Sequence, residues 1–187
     1  MRGSLRTARL LLRPFQPGDV DEACRYRNDP EFARYLPHIP QPFTRRDAEE
    51  FVRVNIEEPW EKFPTFAVVL EGKLIGTVNL AIDANNQIAM LGYAISREHW
   101  GQGIATEAAR AAVAWGFRTF GLAKIWASTD ARNVASRRVM EKLGMQLEGL
   151  FRSHAVGRDG RTDSVTYGLL REEWTSSQSN AAEVDSR

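Results

Sequence analysis

The sequence predicts one domain of the mixed α/β class, with an antiparallel half followed by a half in which helices connect the strands. Two patterns predict this class: three short apolar runs separated by tight turns in the middle of the chain, and a later alternation of helical and extended segments. The length of 187 residues supports one domain, because chains rarely divide into separate domains below about 250 residues.

The first elements are a strand and two helices. Apolar residues in the stretch from Thr7 to Phe15 predict the strand, and Asp19 is placed to cap the helix that follows. The proline-rich stretch 31–43 predicts a short helical turn and then an ordered loop. Thr44 and Asp47 have the spacing of a capping box, so a second helix is expected to begin there and to stop at Pro59.

The middle of the chain predicts an antiparallel meander. Its three strands are expected at residues 65–70, 74–81 and 88–96. The turn Glu71-Gly72-Lys73 separates the first two strands, and residues 83–86 separate the second from the third. Turns this short can join only antiparallel neighbours.

The last third of the chain predicts alternating helices and strands. Small and apolar residues recur with a helical period from Ile104 to Phe120, and Gly121 is a typical helix stop. The other elements of this part are a strand at 124–129, a helix at 136–143, a strand that begins near Met145 and a last strand at 162–170. Residues 1–6 are expected to be an N-terminal extension or tag remnant, 7–174 the folded domain and 175–187 a disordered tail.

Composition and charge exclude several classes of function. Lys plus Arg is 25 and Asp plus Glu is 24, so the chain lacks the basic excess typical of nucleic-acid binding. No run approaches the ~20 apolar residues of a membrane span, and the start lacks the apolar core of a signal peptide. One cysteine and three scattered histidines give no metal-binding spacing, so no metal is expected. The expected compartment is the cytoplasm.

One segment carries a chemical signal. Gly101 and Gly103 stand between a predicted strand and the helix from Ile104, where unpaired backbone N–H groups and the positive end of the helix dipole favour an anion. Glycines let the backbone approach such an anion closely. The segment is not a Walker motif, and Thr106 stands where a dinucleotide fingerprint would place its third glycine.

Trp100 to Ala108 reads WGQGIATEA and resembles the acetyl-CoA loop of the GNAT N-acetyltransferases, in particular the RimJ/RimL-like branch of ribosomal-protein N-terminal acetyltransferases. Asn133 to Ser136 and Glu141 to Met145 are similar to a second motif of that branch, in the same order and spacing. The resemblance spans about residues 7–174. It implies a mostly antiparallel sheet with helices on both faces, splayed between the strands at 88–96 and 124–129.

The resemblance implies a binding site for acetyl-CoA as co-substrate. Backbone amides of four residues would hold the pyrophosphate: Gln102, Gly103, Ala105 and Thr106. Gly101 and Ile104 belong to the same cofactor-binding segment. The main chain near Ile95 and Ser96 would pair with the pantetheine arm as an added strand. Lys142, with Arg137 and Arg138, is placed to meet the 3′-phosphate, although these cations are equally typical of a solvated helix face.

The resemblance also implies a reaction. An amine attacks the thioester directly in a ternary complex, with Ser136 near the sulfur and Asn133 orienting the cofactor. Most of the rate enhancement can come from holding both substrates in line. Related enzymes carry a glutamate where Met90 stands, so a base on that strand is not expected; Glu98, His99 and Asp163 remain candidates.

The acceptor is expected to be an α-amine, such as the N-terminus of a ribosomal protein. Its pKa of ~7.7–8.0 leaves much of it neutral near pH 7.5, whereas lysine, at ~10.4, stays protonated. The loop at 37–42 is expected to form one wall of the acceptor groove. The alternatives are a small-molecule amine as acceptor, or an acetyl-CoA sensor without catalysis. A homodimer is possible.

Overall fold

The structure, a computed structural model, describes residues 2–176. In that range it contains eight strands and the five helices that are named α1 to α5 below. Their order along the chain is β1 (Leu5–Arg6), β2 (Leu10–Arg13), α1 (Val20–Arg27), α2 (Pro30–Ala33), α3 (Arg45–Glu57), β3 (Thr65–Leu70), β4 (Lys73–Asp83), β5 (Ile88–Ile95), α4 (Ile104–Phe120), β6 (Lys124–Asp130), α5 (Val134–Lys142), β7 (Gln146–Gly157) and β8 (Gly160–Leu170).

The strands form one sheet in the order β1-β2-β3-β4-β5-β6-β8-β7. Every neighbouring pair is antiparallel except β5 and β6, which are parallel and are connected through α4. The mostly antiparallel mixed sheet expected from the sequence is therefore confirmed. The parallel pair lies at its centre, where the helix must cross over the sheet.

Helices cover both faces of the sheet, as expected. Phe66 and Val68 point toward the larger core cluster, which α4 and α5 complete, whereas Ala67 between them points toward the cluster that contains α1 and α3. Successive strand residues face opposite sides, so this alternation places one helical layer on each face. Both clusters consist of closely packed apolar side chains that are almost fully buried.

Two helices follow their sequence signals closely. Thr44 and Asp47 form the expected capping box: each side chain accepts a hydrogen bond from the backbone N–H of the other. The helix α4 spans the predicted residues and ends at Gly121, whose φ of 64° is the left-handed conformation that glycine adopts without strain.

Several boundaries differ from the predictions. Leu5–Arg6, placed in an N-terminal extension, pairs with β2 and belongs to the sheet. The helix α5 begins two residues earlier than predicted because the Asn133 side chain caps it. Residues 171–176 are helical and bury Trp174, so Thr175 and Ser176, which were placed in the predicted tail, belong to a helix. From residue 177 on, that tail lies outside the described residues.

Candidate active site

The sheet opens between its two parallel strands. Only three register pairs join β5 to β6, and the last is Met90 with Trp126. Beyond it β5 continues to Ile95 alongside β4, while β6 continues to Asp130 alongside β8. Each strand therefore keeps its outer neighbour and has no partner on the inner side. This is the splayed sheet that the resemblance implied.

A helix start without a side-chain cap follows the end of β5. Gly101 and Gly103 have φ values of 73° and 77°, and Gly103 is the N-cap of α4 with no side-chain cap. The first N–H groups of a helix lack partners within the helix, so here they remain available to a ligand. A Cβ at Gly101 would meet no atom within 4 Å, which leaves the loop open on its outer side. The geometry fits a phosphate group.

A side-chain clamp that the sequence did not predict holds this loop. Arg9 donates through Nε to Glu107 at 2.7 Å and through Nη1 to the carbonyl oxygen of Gln102 at 3.0 Å. The Glu107 carboxylate also accepts from the Thr7 hydroxyl at 2.6 Å and from the Arg9 backbone N–H at 3.0 Å. The turn between β1 and β2 thereby fixes the first turn of α4.

The clamp also sets the charge of the helix start. Partial burial acts to raise the pKa of Glu107, but hydrogen bonds from Thr7 and Arg9 outweigh burial and hold that pKa below its ordinary value. An ionised carboxylate in the first turns of a helix would repel an incoming phosphate. The ion pair with Arg9, at 2.6 Å, neutralises it and leaves the backbone N–H groups to determine the local field.

Two hydroxyl groups bridge the opening. The Tyr93 phenol on β5 lies 2.9 Å from both the hydroxyl and the carbonyl oxygen of Ser136 on α5. Burial raises the pKa of Tyr93 to about 12, and the hydrogen bond to Ser136 moderates that rise. The Asn133 Oδ1 atom accepts from the Ser136 backbone N–H at 3.1 Å, so Asn133 positions Ser136 by capping α5. The sequence did not single out Tyr93.

The predicted main-chain contacts of the pantetheine arm are partly occupied. The Ser96 N–H faces β4, where it donates to the carbonyl oxygen of Ile75 at 2.7 Å, so it does not point into the opening. The Ile95 carbonyl oxygen accepts from the indole N–H of Trp100 at 2.7 Å. Trp100 is 48% exposed, and its hydrogen bond ties the glycine loop to the end of β5.

The basic residues of α5 do not form one cluster. Arg137 points inward, where it donates to the Tyr167 hydroxyl at 3.3 Å and to the Ala131 carbonyl oxygen at 3.4 Å. Arg138 and Lys142 are exposed to solvent. The structure therefore leaves Lys142 and Arg138 available to a phosphate and shows why Arg137 is held elsewhere.

The three candidate bases have other contacts. Glu98 is exposed in the turn before the glycine loop, and the Nδ1 atom of the neighbouring His99 lies 2.8 Å from the Ser96 hydroxyl. Asp163 is exposed on β8 and accepts from the Ser153 backbone N–H at 2.7 Å. Within residues 2–176, no carboxylate or imidazole forms a hydrogen bond with the Tyr93 or Ser136 hydroxyl.

A cavity of about 140 Å³ lies beside the end of β6, next to the residues that lead into α5. Tyr35 and Pro37 line one side of it, and Pro37 is the one residue of the loop at 37–42 in this lining. Asp130 and Arg132 line the side closest to α5, and the Arg132 guanidinium donates to both carboxylate oxygens of Asp130.

In the part of the chain that the structure describes, no group of three or more acidic, histidine or cysteine side chains could hold a metal ion. None of the helices between residues 2 and 176 has the length and apolar character needed to cross a bilayer.

The open sheet, the bare helix start and the half-buried hydroxyl pair define a site that can hold an extended, phosphate-bearing cofactor against a second substrate. A model of the acetyltransferase (GNAT) domain matches residues 9–146, which is most of the chain and includes β5, β6, the start of α4 and the Tyr93–Ser136 pair. The chain belongs to the GNAT acetyltransferase family, and it is an N-acetyltransferase.

Individual proteins agree with this assignment. The chain is 33% identical over 172 residues to YnaD, an uncharacterized N-acetyltransferase of Bacillus subtilis, covering 91% of this chain and 98% of that protein. A GNAT-family acetyltransferase structure from Bacillus anthracis has a TM-score of 0.82 and 29% identity, covering 91% and 100% of the two chains. RimL, a ribosomal L7/L12 α-N-protein acetyltransferase in complex with coenzyme A, has a TM-score of 0.84 but 19% identity, covering 91% and 99%.

Proposed function

We propose that the protein transfers an acetyl group from acetyl-CoA to the α-amine of a protein N-terminus, directly and within a ternary complex. The observation that carries the proposal is the placement of the Tyr93–Ser136 hydroxyl pair inside the opening between β5 and β6, with the bare start of α4 at one end. The two features would serve the two ends of one extended cofactor. RimL, by its name, acts on such an amine, but at 19% identity that likeness extends to the fold alone.

The cofactor side would bind through the backbone. Loop and first-turn amides of Gly101, Gln102, Gly103, Ile104, Ala105 and Thr106 would hold the pyrophosphate, while the unpartnered inner edge of β5 would pair with the pantetheine arm. Lys142 is exposed and is proposed to meet the 3′-phosphate. When bound, acetyl-CoA supplies the thioester carbonyl that the amine attacks.

The hydroxyl pair would donate a proton to the departing sulfur. Ser136 Oγ can turn its hydrogen toward that sulfur, and the Tyr93 phenol can then turn its one hydrogen from the Ser136 carbonyl oxygen to Ser136 Oγ, which is also 2.9 Å away. Because the pKa of Tyr93 is raised to about 12, the phenol stays protonated at neutral pH. Asn133 holds Ser136 in place through the helix cap, so we assign Asn133 a positioning role.

Among residues 2–176, no base forms a hydrogen bond with the hydroxyl pair. This favours an acceptor amine that loses its proton readily. Asp130 is the nearest carboxylate along β6, but the hydrogen bond from Arg132 lowers its pKa and makes it a weak base. An α-amine of pKa ~7.7–8.0 meets this condition, whereas a lysine of pKa ~10.4 does not.

The test is thiol release from acetyl-CoA with two peptides of one sequence. One peptide has a free N-terminus and no lysine, and the other is N-blocked and carries a lysine. We expect at least tenfold higher kcat/KM for the free N-terminus. A preference for the lysine peptide would overturn the α-amine assignment.

Turnover of small amines only would replace the protein acceptor with a metabolite or antibiotic. Tight acetyl-CoA binding without transfer to any amine would instead indicate a sensor.

A further inference from the structure

Three arginines from separate parts of the chain converge on the cavity beside β6. Arg34 follows α2, Arg132 precedes α5, and Arg158 lies in the turn between β7 and β8. Two aspartates, Asp130 and Asp159, also line the cavity. The five charged side chains carry one net positive charge, in a chain whose total charge is only +1.

The three arginines differ in how far nearby carboxylates neutralise their charge. Asp130 is already engaged by Arg132 through both of its oxygens, so this pair contributes little net field. Arg34 has one ion pair, with Glu31 at 3.6 Å, and both side chains are more than half exposed, so that pair is weak. Among residues 2–176, no carboxylate forms an ion pair with Arg158.

Arg158 is nevertheless held in a fixed position. Its Nε donates to the Ala33 carbonyl oxygen at 3.0 Å, and its Nη2 donates to the carbonyl oxygens of Leu36 and Ile39. The Nη1 group takes no part in these bonds. The guanidinium therefore ties the β7–β8 turn to the loop after α2 while it keeps a charge and a donor group for the cavity.

We infer that the acceptor carries a carboxylate close to its reactive amine, and that Arg34 and Arg158 bind this carboxylate in the cavity. The inference rests on the proposed acetyl transfer, because it names the substrate class of that same site. A carboxylate matches the single net charge of the cavity, whereas a phosphate group, at about −1.5 to −2, exceeds it. Guanidinium groups present paired N–H donors that suit carboxylate oxygens.

The position and size of the cavity agree with this role. Arg132 directly precedes Asn133, the cap of α5, and Ser136 stands in the first turn of that helix. The cavity therefore lies beside the segment that leads into the helix of Ser136. Its volume of about 140 Å³ is small, which suits a carboxylate-bearing side chain rather than a long peptide.

The experiment uses the full chain and three peptides that differ only at position 2, which is Asp, Asn or Lys after an N-terminal Ala. We expect kcat/KM, measured by thiol release, to be about tenfold higher for Asp than for Asn, since a charged hydrogen bond contributes about that factor. Lys is expected to be the poorest. Free alanine, with its own carboxylate, distinguishes an amino acid from a peptide as the source of the group.

Two variants locate the effect. Arg34→Gln should reduce the Asp-over-Asn preference to less than about threefold, because it removes a cavity charge that has only a weak partner. Arg46→Gln removes an equally exposed arginine on α3, outside the cavity lining, and should keep the full preference. Higher salt should weaken the preference of the unaltered protein, because the cavity is open to screening.

Binding provides a readout independent of turnover. Calorimetry with the N-acetylated Asp and Asn peptides should show the same order of affinity, and Arg34→Gln should remove it. Equal kcat/KM and equal binding for Asp and Asn, or a preference for Lys, would overturn the inference while acetyl transfer stands. If no peptide is acetylated, the proposed acceptor is wrong, and the binding order alone then decides whether the cavity selects a carboxylate.

Discussion

The two proposed sides of the site are built from different chemical groups. The proposed cofactor side consists of backbone N–H groups around Gly101 and Gly103. The proposed acceptor side consists of guanidinium groups such as Arg158, which donates to carbonyl groups 119 to 125 positions earlier in the chain. Backbone groups are common to every residue, whereas side chains can be exchanged singly. The two binding functions should therefore be separable by mutation.

Gly103→Val should break the cofactor side and leave the acceptor side intact. A valine at φ 77° is strained, and its branched side chain would cover the N–H groups of the first turn. We expect the affinity for CoA to fall by about 300-fold or more, which corresponds to two or more lost charge-assisted hydrogen bonds. Calorimetry measures the loss, and binding of the N-acetylated Asp peptide should not change.

The matched control for Gly103→Val is Gly121→Val at the other end of α4. Gly121 has a similar φ of 64°, and a Cβ there would meet no atom within 4 Å. A Cβ at Gly103 would meet Arg9 Nη2 at 3.7 Å, which is an ordinary contact, so Gly121→Val reports the cost of strain. Comparable loss of CoA affinity in both variants would attribute the effect to damage of α4 and would remove the phosphate site from its start.

Ser136→Ala tests the point where the two sides meet. Its hydroxyl is proposed to protonate the departing sulfur, so kcat should fall roughly 10²-fold, the usual contribution of a general acid. The KM for acetyl-CoA should stay nearly constant. Ser136→Thr, which keeps the hydroxyl, should recover part of the activity. An unchanged kcat in the alanine variant would leave Ser136 with a structural role only.

Arg9→Gln tests the clamp behind the cofactor side. The change exposes the charge of Glu107 at the helix start and frees the Gln102 carbonyl group. We expect the KM for acetyl-CoA to rise about tenfold with little change in kcat. The double variant Arg9→Gln/Glu107→Gln should recover part of that loss, because the repelling charge is gone. No recovery would indicate that the clamp acts through its hydrogen bonds rather than through charge.

The smallest effect concerns stability at alkaline pH. The pKa of Tyr93 is raised from 10.0 to about 12 in the folded protein, so the folded state holds this proton more tightly than the unfolded state. Its contribution to stability is complete below pH 10 and is lost as the pH rises toward 12. Tyr26, whose pKa burial also raises, adds a loss of the same sign.

Denaturant unfolding between pH 9 and 12 should therefore show a shallower decline in Tyr93→Phe than in the unaltered protein. Identical slopes would mean that the phenol is not buried in the folded enzyme.

Local signals made β3 to β6, α3 and α4 predictable. A continuous apolar run between turn signals fixes β3 to its observed bounds, and a helical period followed by Gly121 does the same for α4. The glycine loop could also be predicted, because a site made of backbone groups depends on residues that are consecutive in the sequence. The early start of α5 was missed because Asn133 acts as its cap through a side-chain contact that periodicity does not reveal.

The remaining parts of the site depend on contacts between distant residues. Arg9 and Glu107 are 98 positions apart, and Tyr93 and Ser136 are 43 apart. None of these residues stands out in its own segment. The sequence does not indicate which charged or hydroxyl-bearing residues contact each other. The arginine cavity likewise arises only when three loops meet, so it could not be predicted from the sequence.

Because only three residue pairs join β5 to β6, the sheet has unpaired strand edges at its centre as well as at its two borders. Backbone groups on the inner side of residues 91–95 face a cleft, while those of β3 are paired on both sides. Deuterium uptake from heavy water should therefore be faster in this part of β5 than in β3. An arm of coenzyme A bound along the cleft would act as a missing ninth strand and would slow that uptake.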